Sequence, residues 1–249
     1  MLNILPRHAI IAHRGASAHA PENTLAAFEL AVRQGADMIE LDVKLSADKH
    51  VVVIHDSTLN RTTNGTGKVA ETRFPELKAL DAGSYFDVSF ANERIPTLGE
   101  VFQTVGKHTP INIELTNYTS PLDDLPDHVA DQVREHNIEE RILFSSFNPV
   151  ALRRIKRYIP VAPIALLAQQ GIKGSFARSI LAILQEYQAL HPHYRDVSTE
   201  MITRQHHLGR KVFAYTVNHA PQLKSLILLG VDGIFTDDPI LARQVLEAI

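Results

Sequence analysis

The feature that most constrains this chain is an alternation of short apolar runs with segments of helical periodicity, which continues almost to its end. Short apolar runs bounded by turn residues are typical of buried strands, and the spacing between them leaves room for crossover helices. Strands are predicted at 9–12, 38–43, 111–115, 142–144, 161–167, 212–217 and 231–235, and 51–54 is a further extended run. Residues 194–197 form a weaker, more polar candidate.

Helix signals stand between these runs. Thr97 and Glu100 have the spacing of a capping box, and Asn148 before Pro149 is typical of an N-cap followed by a first helical residue. Gly230 is placed to end a helix. The other signals are a first turn at Pro21 and Glu22, a stop at Gly35, a helical stripe at Ile180, Leu181 and Leu184, and a cap at Asp238 before Pro239.

When the run at 194–197 is counted, the pattern gives eight strand–helix units. That number predicts an α/β protein with a (β/α)8 TIM-type barrel, and an open doubly wound sheet is the alternative. Residues 57–96 are too long for an ordinary βα loop and are rich in Thr, Asn and Gly. We therefore predict a single barrel domain over residues 1–249, with 57–96 inserted as a small cap.

Composition excludes several function classes. The net charge is −3, from 25 basic and 28 acidic residues, so neither nucleic-acid binding nor a polybasic membrane patch is expected. The chain has no cysteine, which excludes disulfides and thiolate chemistry. Neither a signal peptide nor a membrane-spanning run is recognisable, so a cytoplasmic location without membrane insertion is expected. No pattern predicts an oligomeric state.

Three acidic residues stand on predicted strands. Glu40 and Asp42 are two residues apart on one strand and share a face, and Glu114 lies on another. At the carboxyl ends of barrel strands they would meet at one mouth, where three negative charges repel unless a cation neutralises them. Oxygen ligands favour Mg²⁺ or Ca²⁺. The alternative is that each acid is a separate, ion-paired rim residue.

Two histidines and an arginine also follow strands. His13 and His55 are candidates for proton transfer near neutral pH, and Arg14 offers a planar fork for a phosphoryl group. Asp56 either orients His55 or caps the following turn. The remaining histidines, with His206 and His207 as examples, are expected to be solvated.

Taken together, several motifs resemble the glycerophosphodiester phosphodiesterase family along nearly the whole chain. They are His13-Arg14-Gly15, Pro21-Glu22-Asn23-Thr24, Gly35-Ala36-Asp37, Ile39-Glu40-Leu41-Asp42-Val43, His55-Asp56 with Leu59 and Arg61-Thr62-Thr63, and Gly230-Val231-Asp232-Gly233-Ile234. The resemblance implies a (β/α)8 barrel with an insertion after His55 and one divalent metal on Glu40, Asp42 and Glu114. It also implies His13 and His55 as the acid–base pair, and hydrolysis of glycerophosphodiesters to glycerol 3-phosphate and an alcohol.

One position departs from the family pattern. Many members carry lysine two residues after the third metal-binding acid, where this chain has Thr116. Thr116 either contacts the phosphate through its hydroxyl or merely caps the strand end. Two other functions remain open: a phospholipase acting on lysolipids, which would need an exposed apolar rim, and a non-catalytic metal- or ligand-binding barrel. Leu59, Phe74, Tyr85, Phe86 and Phe90 either form that rim or the insertion's own core.

Overall fold

The architecture is a closed parallel barrel surrounded by helices. In the computed structural model, residues 1–118, 120–172, 174 and 186–249 are described. The strands are β1 (Ala9–Ala12), β2 (Met38–Leu45), β3 (Val51–Val53), β4 (Ile111–Leu115), β5 (Ile142–Ser146), β6 (Ile164–Ala168), β7 (Ala189–Pro192), β8 (Lys211–Ala214) and β9 (Gly233–Thr236). The helices are α1 (Leu25–Arg33), α2 (Phe74–Ala79), α3 (Leu98–Val101), α4 (Leu125–Glu135), α5 (Pro149–Tyr158), α6 (Thr199–His207), α7 (Ala220–Leu229) and α8 (Pro239–Glu247).

Barrel closure follows from the strand pairing. Strands β1, β2 and β4 to β9 pair in parallel with their neighbours, and β9 returns to pair with β1. The predicted (β/α)8 barrel is therefore confirmed. Side chains from several strands fill its interior, among them Ile11, Met38, Leu143, Phe213 and Phe235. A larger apolar layer lies between the strands and the helices.

One predicted extended run lies outside the barrel ring, and one strand prediction was wrong. The run at 51–54 gives β3, which pairs antiparallel with β2 and stands outside the barrel ring. The sixth barrel strand is Ala189–Pro192, whereas Tyr194–Asp196 is a short 3-10 turn. The sequence of β7 contains His191 and Pro192, which do not have the composition of a buried strand, and yet all four residues are buried. The barrel's hydrogen bonds to β6 and β8 override the local pattern.

Three of the predicted helix-end signals were confirmed. The capping box of Thr97 and Glu100 is present, Asn148 caps α5, and Gly230 ends α7 with φ +97°. The first turn predicted at Pro21 and Glu22 was wrong, because α1 begins at Leu25 with Thr24 as its N-cap. The predicted stripe at Ile180, Leu181 and Leu184 lies outside the described residues.

The segment 57–96 packs against the β2–β3 hairpin. A small apolar cluster joins Leu59, Val69 and Leu77 of the segment to Val52 and Ile54. Whether this segment acts as a cap remains a prediction. No helix in the described ranges combines the length and apolarity needed to cross a bilayer.

Candidate active site

The three acidic residues meet at the carboxyl ends of two adjacent strands. Glu40 and Asp42 lie on β2, and Asp42 is in register with Glu114 on β4. One carboxylate oxygen from each lies within 4.8 Å of the others. The intervening residues Leu41 and Val43 face the apolar layer outside the barrel, since successive side chains of a strand point to opposite faces.

Burial makes this carboxylate cluster electrostatically unfavourable by itself. Glu40 and Asp42 are each 1% exposed. Burial, together with the charges of Asp42 and Glu114, raises the pKa of Glu40 well above its ordinary value. Burial and the charge of Asp42 likewise raise the pKa of Glu114 to about 8. In addition, Glu40 Oε1 is buried and has no hydrogen-bond partner among the described residues. Converging oxygen donors with unsatisfied charge fit a hard divalent cation.

Each predicted catalytic histidine is held by a carboxylate. His13 Nδ1 donates to Asp237 Oδ1 at 2.6 Å, and His55 Nδ1 donates to Asp56 Oδ1 at 2.7 Å. Because the carboxylate fixes the proton on Nδ1, Nε2 of each ring is left to exchange a proton with a ligand. Asp56 is therefore placed to orient His55, which is one of the two roles predicted for it.

The pKa values of both partner carboxylates are lowered. For Asp56 the main cause is the hydrogen bond from Arg61, with His55 adding to it. For Asp237, burial opposes ionisation, but hydrogen bonds from His13, Asn218 and Ser17 outweigh it. Both carboxylates are consequently ionised near neutral pH and can stabilise a protonated imidazole.

Arg14 is held in place by the strained turn that follows β1. Its φ is +57°, its backbone N–H donates to Glu40 Oε2 at 2.8 Å, and Gly15 follows with φ +83°. A Cβ on Gly15 would lie 2.7 Å from the backbone of Ala27, so only glycine fits against α1. The Arg14 guanidinium donates to Glu22 at 2.8 Å, and its Nε lies 3.2 Å from Asp42 Oδ2.

Residues of the Pro21–Thr24 motif hold charged side chains of this site in place. Glu22 binds Arg14, the Asn23 amide donates to Asp42 Oδ2 at 2.9 Å, and Thr24 caps α1. Glu22 also accepts from Arg61, whose guanidinium binds Asp56 as well. Arg61 belongs to the segment 57–96, so this segment contributes directly to the site.

Thr116 does not line the central cavity, which contains His13 and His55. Its hydroxyl donates to the Val43 carbonyl at 2.8 Å, and it accepts from Lys44 Nζ at 2.8 Å. Direct contact between Thr116 and phosphate remains a prediction. Thr116 and Lys44 line a neighbouring cavity of about 200 Å³, together with Asn117, Ser57 and other polar residues.

The central cavity has a volume of about 190 Å³. Five of the predicted site residues line it: His13, Arg14, Glu40, His55 and Glu114. Its remaining wall is largely apolar and aromatic, with Phe147, Leu167, His191, Tyr215 and Phe235 among the lining residues. A polar, charged floor beside an apolar wall is suited to a small anionic ligand with a carbon backbone.

Sequence patterns alone did not identify two residues of this site, Asp237 and Glu22, or Lys44 of the neighbouring cavity. An acid directly after a barrel strand is the signal that points to Asp237. Glu22 was predicted to lie in the first turn of a helix, and Lys44 continues the alternation of Glu40 and Asp42. The prediction that the other histidines are solvated was wrong for His191, which is fully buried.

Comparison with known proteins places this chain in a family. The model of the glycerophosphoryl diester phosphodiesterase family matches residues 13–241. The chain belongs to this family. The match begins at His13 and includes every predicted site residue, and the expectation of a phosphodiesterase enzyme is thereby confirmed.

Individual relatives agree with this assignment. A glycerophosphodiester phosphodiesterase of Caldanaerobacter subterraneus subsp. tengcongensis is 44% identical over 231 residues, which cover 92% of this chain and 94% of the relative. Another, from Bacillus altitudinis, is 37% identical over 96% of this chain and 98% of its own length. The structure of an Oleispira antarctica phosphodiesterase in complex with sn-glycerol-3-phosphate superimposes with a TM-score of 0.90 at 31% identity, covering 98% of each chain.

Proposed function

We propose that this chain hydrolyses glycerophosphodiesters, such as glycerophosphocholine and glycerophosphoethanolamine, to sn-glycerol 3-phosphate and an alcohol. The observation that carries the proposal is the placement of two carboxylate-oriented histidines, His13 and His55, in the cavity that also contains Glu40 and Glu114. The product complex of the Oleispira relative supports this substrate class.

Glu40, Asp42 and Glu114 would hold one divalent cation, Mg²⁺ or Ca²⁺. When bound, this cation supplies a Lewis acid for a non-bridging phosphate oxygen. Arg14 presents positive charge beside these carboxylates. Glu22 and Asp42 fix the orientation of the Arg14 guanidinium.

In this proposal the histidines move the protons. His13 takes the proton of the attacking hydroxyl as the new P–O bond forms. His55 gives its proton to the departing head-group oxygen as the old P–O bond breaks. The attacking group is either water or the neighbouring glycerol hydroxyl, and the second route would release a cyclic phosphate before glycerol 3-phosphate.

The test is an enzyme-coupled assay for sn-glycerol 3-phosphate released from glycerophosphocholine. We expect release with Mg²⁺ or Ca²⁺ and none after the cation has been stripped with a chelator. His13→Ala and His55→Ala should each lower kcat by about 10²-fold or more. His207→Ala, on the exposed end of α6, is the control and should retain the wild-type rate.

Leaving-group chemistry distinguishes the two histidines. A nitrophenyl diester needs no protonation on departure, so it should rescue His55→Ala and not His13→Ala. Rescue of His13→Ala alone would exchange the two roles. Full activity in excess chelator, or no release from any glycerophosphodiester, would contradict the proposal.

A further inference from the structure

In the proposed function, the central cavity accepts a phosphodiester anion beside three carboxylates. Positively charged side chains around the cavity would offset the repulsion between these negative charges. Arg14 is shared between Glu22 and Asp42, and Arg61 is shared between Glu22 and Asp56. Both guanidinium groups therefore have their charge largely compensated by the protein itself. A phosphate binding at this mouth gains most from a cation without a carboxylate partner.

Lys44 is such a cation. It follows Glu40 and Asp42 on the same face of β2, because side chains two residues apart on a strand share a face. Lys44 is half-buried and forms no ion pair with any residue of the described ranges. Its Nζ donates to Thr116 Oγ1 at 2.8 Å and to the Thr116 carbonyl at 3.2 Å.

One N–H group of the Lys44 ammonium has no acceptor among the described residues. An ammonium group has three N–H donors, and Thr116 accepts two of them in the part of the chain that the structure describes. Thr116 in turn is fixed by donating its own hydroxyl to Val43 O on the neighbouring strand. This threonine therefore holds the Lys44 ammonium in the neighbouring cavity, where it interacts electrostatically with Asp42 and Glu114 of the carboxylate cluster.

We propose that Lys44 binds the substrate phosphate, with Thr116 as its positioning residue. The register of β2 and β4 places Asp42 opposite Glu114, so positions 44 and 116 are neighbours just beyond that pair. A lysine at 116 would deliver its ammonium to the same place from the other strand. The assignment rests on the proposed function, since it takes the phosphodiester as the ligand.

The experiment compares Lys44→Gln with the double variant Lys44→Gln/Thr116→Lys. Two quantities are measured with saturating Mg²⁺: KM for glycerophosphocholine, and Kd for sn-glycerol 3-phosphate by calorimetry. Lys44→Gln should raise both by roughly 10- to 100-fold, the range for one charge-assisted hydrogen bond. The double variant should recover most of this loss, because it restores an ammonium at the same mouth.

Two controls isolate the phosphate contact. Lys49→Gln removes a lysine that lines the same neighbouring cavity but pairs with Asp124 at 3.7 Å, and it should bind product as the wild type does. The affinity of Lys44→Gln for Mg²⁺, measured without product, should be unchanged. A purely structural role for Lys44 would not be rescued by Thr116→Lys.

Three results would overturn the assignment: wild-type product affinity in Lys44→Gln, no recovery in the double variant, or a loss of Mg²⁺ affinity that accounts for the loss of product binding. The proposed function fails separately. If the wild type binds sn-glycerol 3-phosphate through Lys44 but releases none from any glycerophosphodiester, the hydrolytic proposal is wrong and the phosphate contact stands.

Discussion

At the scale of single residues, each histidine depends on a carboxylate, but only one of the two carboxylates lies in the same sequence motif as its histidine. Asp56 follows His55 directly in the sequence, whereas Asp237 is 224 residues from His13 and comes from the other end of the chain. Each carboxylate fixes the tautomer and the orientation of its histidine. A change at Asp237 should therefore act on proton transfer and leave phosphate binding largely intact.

We expect Asp237→Asn to lower kcat for glycerophosphocholine by about 10²-fold with little change in KM, since the histidine loses an ionised partner but the substrate contacts remain. Steady-state kinetics separate the two constants. The matched control is Asp238→Asn at the next residue, which caps α8 and should keep its helix because asparagine caps equally well. Equal kcat values for the two variants would show that Asp237 does not support His13.

At the scale of elements, β7 shows how barrel pairing overrides local composition. His191 on β7 is fully buried, and neither ring nitrogen has a hydrogen-bond partner among the described residues. Its ring lies 4.8 Å from that of Phe235 and 5.5 Å from that of Phe213. This apolar setting lowers the pKa of His191 from its ordinary value of 6.5 to about 3 through burial.

The lowered pKa predicts a loss of stability in acid. Between pH 6.5 and about 3 the unfolded chain binds a proton at His191 that the folded chain does not, so stability falls as the pH falls. As the pH falls, the free energy of unfolding should therefore decrease more steeply in the wild type than in His191→Leu. The difference between the two slopes should be about 1.4 kcal/mol per pH unit.

Denaturant unfolding at a series of pH values between 5 and 7 measures this difference in slope. His207→Leu serves as the control, because this residue is exposed on α6 and its loss should leave the wild-type slope. Equal slopes in the wild type and His191→Leu would mean that His191 becomes protonated within the folded protein.

At the scale of the whole molecule, the segment 57–96 is divided between core and surface. Leu59 is 2% exposed and Phe74 packs against the same small cluster, whereas Tyr85 and Phe86 are 41% and 39% exposed. The Tyr85 hydroxyl accepts from the Glu22 backbone N–H at 3.0 Å, which ties the segment to the loop that holds Arg14. The segment is thus attached to the site by polar contacts as well as by its own core.

The carboxylate cluster joins neighbouring strands of the closed barrel, so its occupation should change global stability. With Mg²⁺ or Ca²⁺ at about 100 times Kd, the folded state gains about 2.7 kcal/mol, which corresponds to a rise in Tm of about 5–10 °C. Glu40→Gln should cancel this rise. Without a cation the same variant should melt higher than the wild type, because one of three buried carboxylates has been removed.

Scanning calorimetry of the wild type and Glu40→Gln, with chelator and with each cation, gives the six Tm values needed. Gln can still accept from the Arg14 backbone N–H, so the turn after β1 is preserved. An equal cation-induced rise in both proteins would place the binding site elsewhere.

Local sequence patterns determined much of this protein. Alternating apolar runs predicted the barrel, because strands buried on both faces must be apolar and crossover helices must cover them. Period-two spacing put Glu40 and Asp42 on one face, and capping residues marked several helix ends. These are short-range properties, so they can be recognised in a few adjacent residues.

Tertiary structure alone decided the long-range pairs. The pairing of β1 with β9 brings Asp237 to His13, and the pairing of β2 with β4 brings Thr116 to Lys44. The same closure buries His191 in a strand whose composition indicates a loop. These contacts join residues far apart in the chain, and no local pattern encodes which distant strand completes a hydrogen-bonding edge or which side chain meets it there.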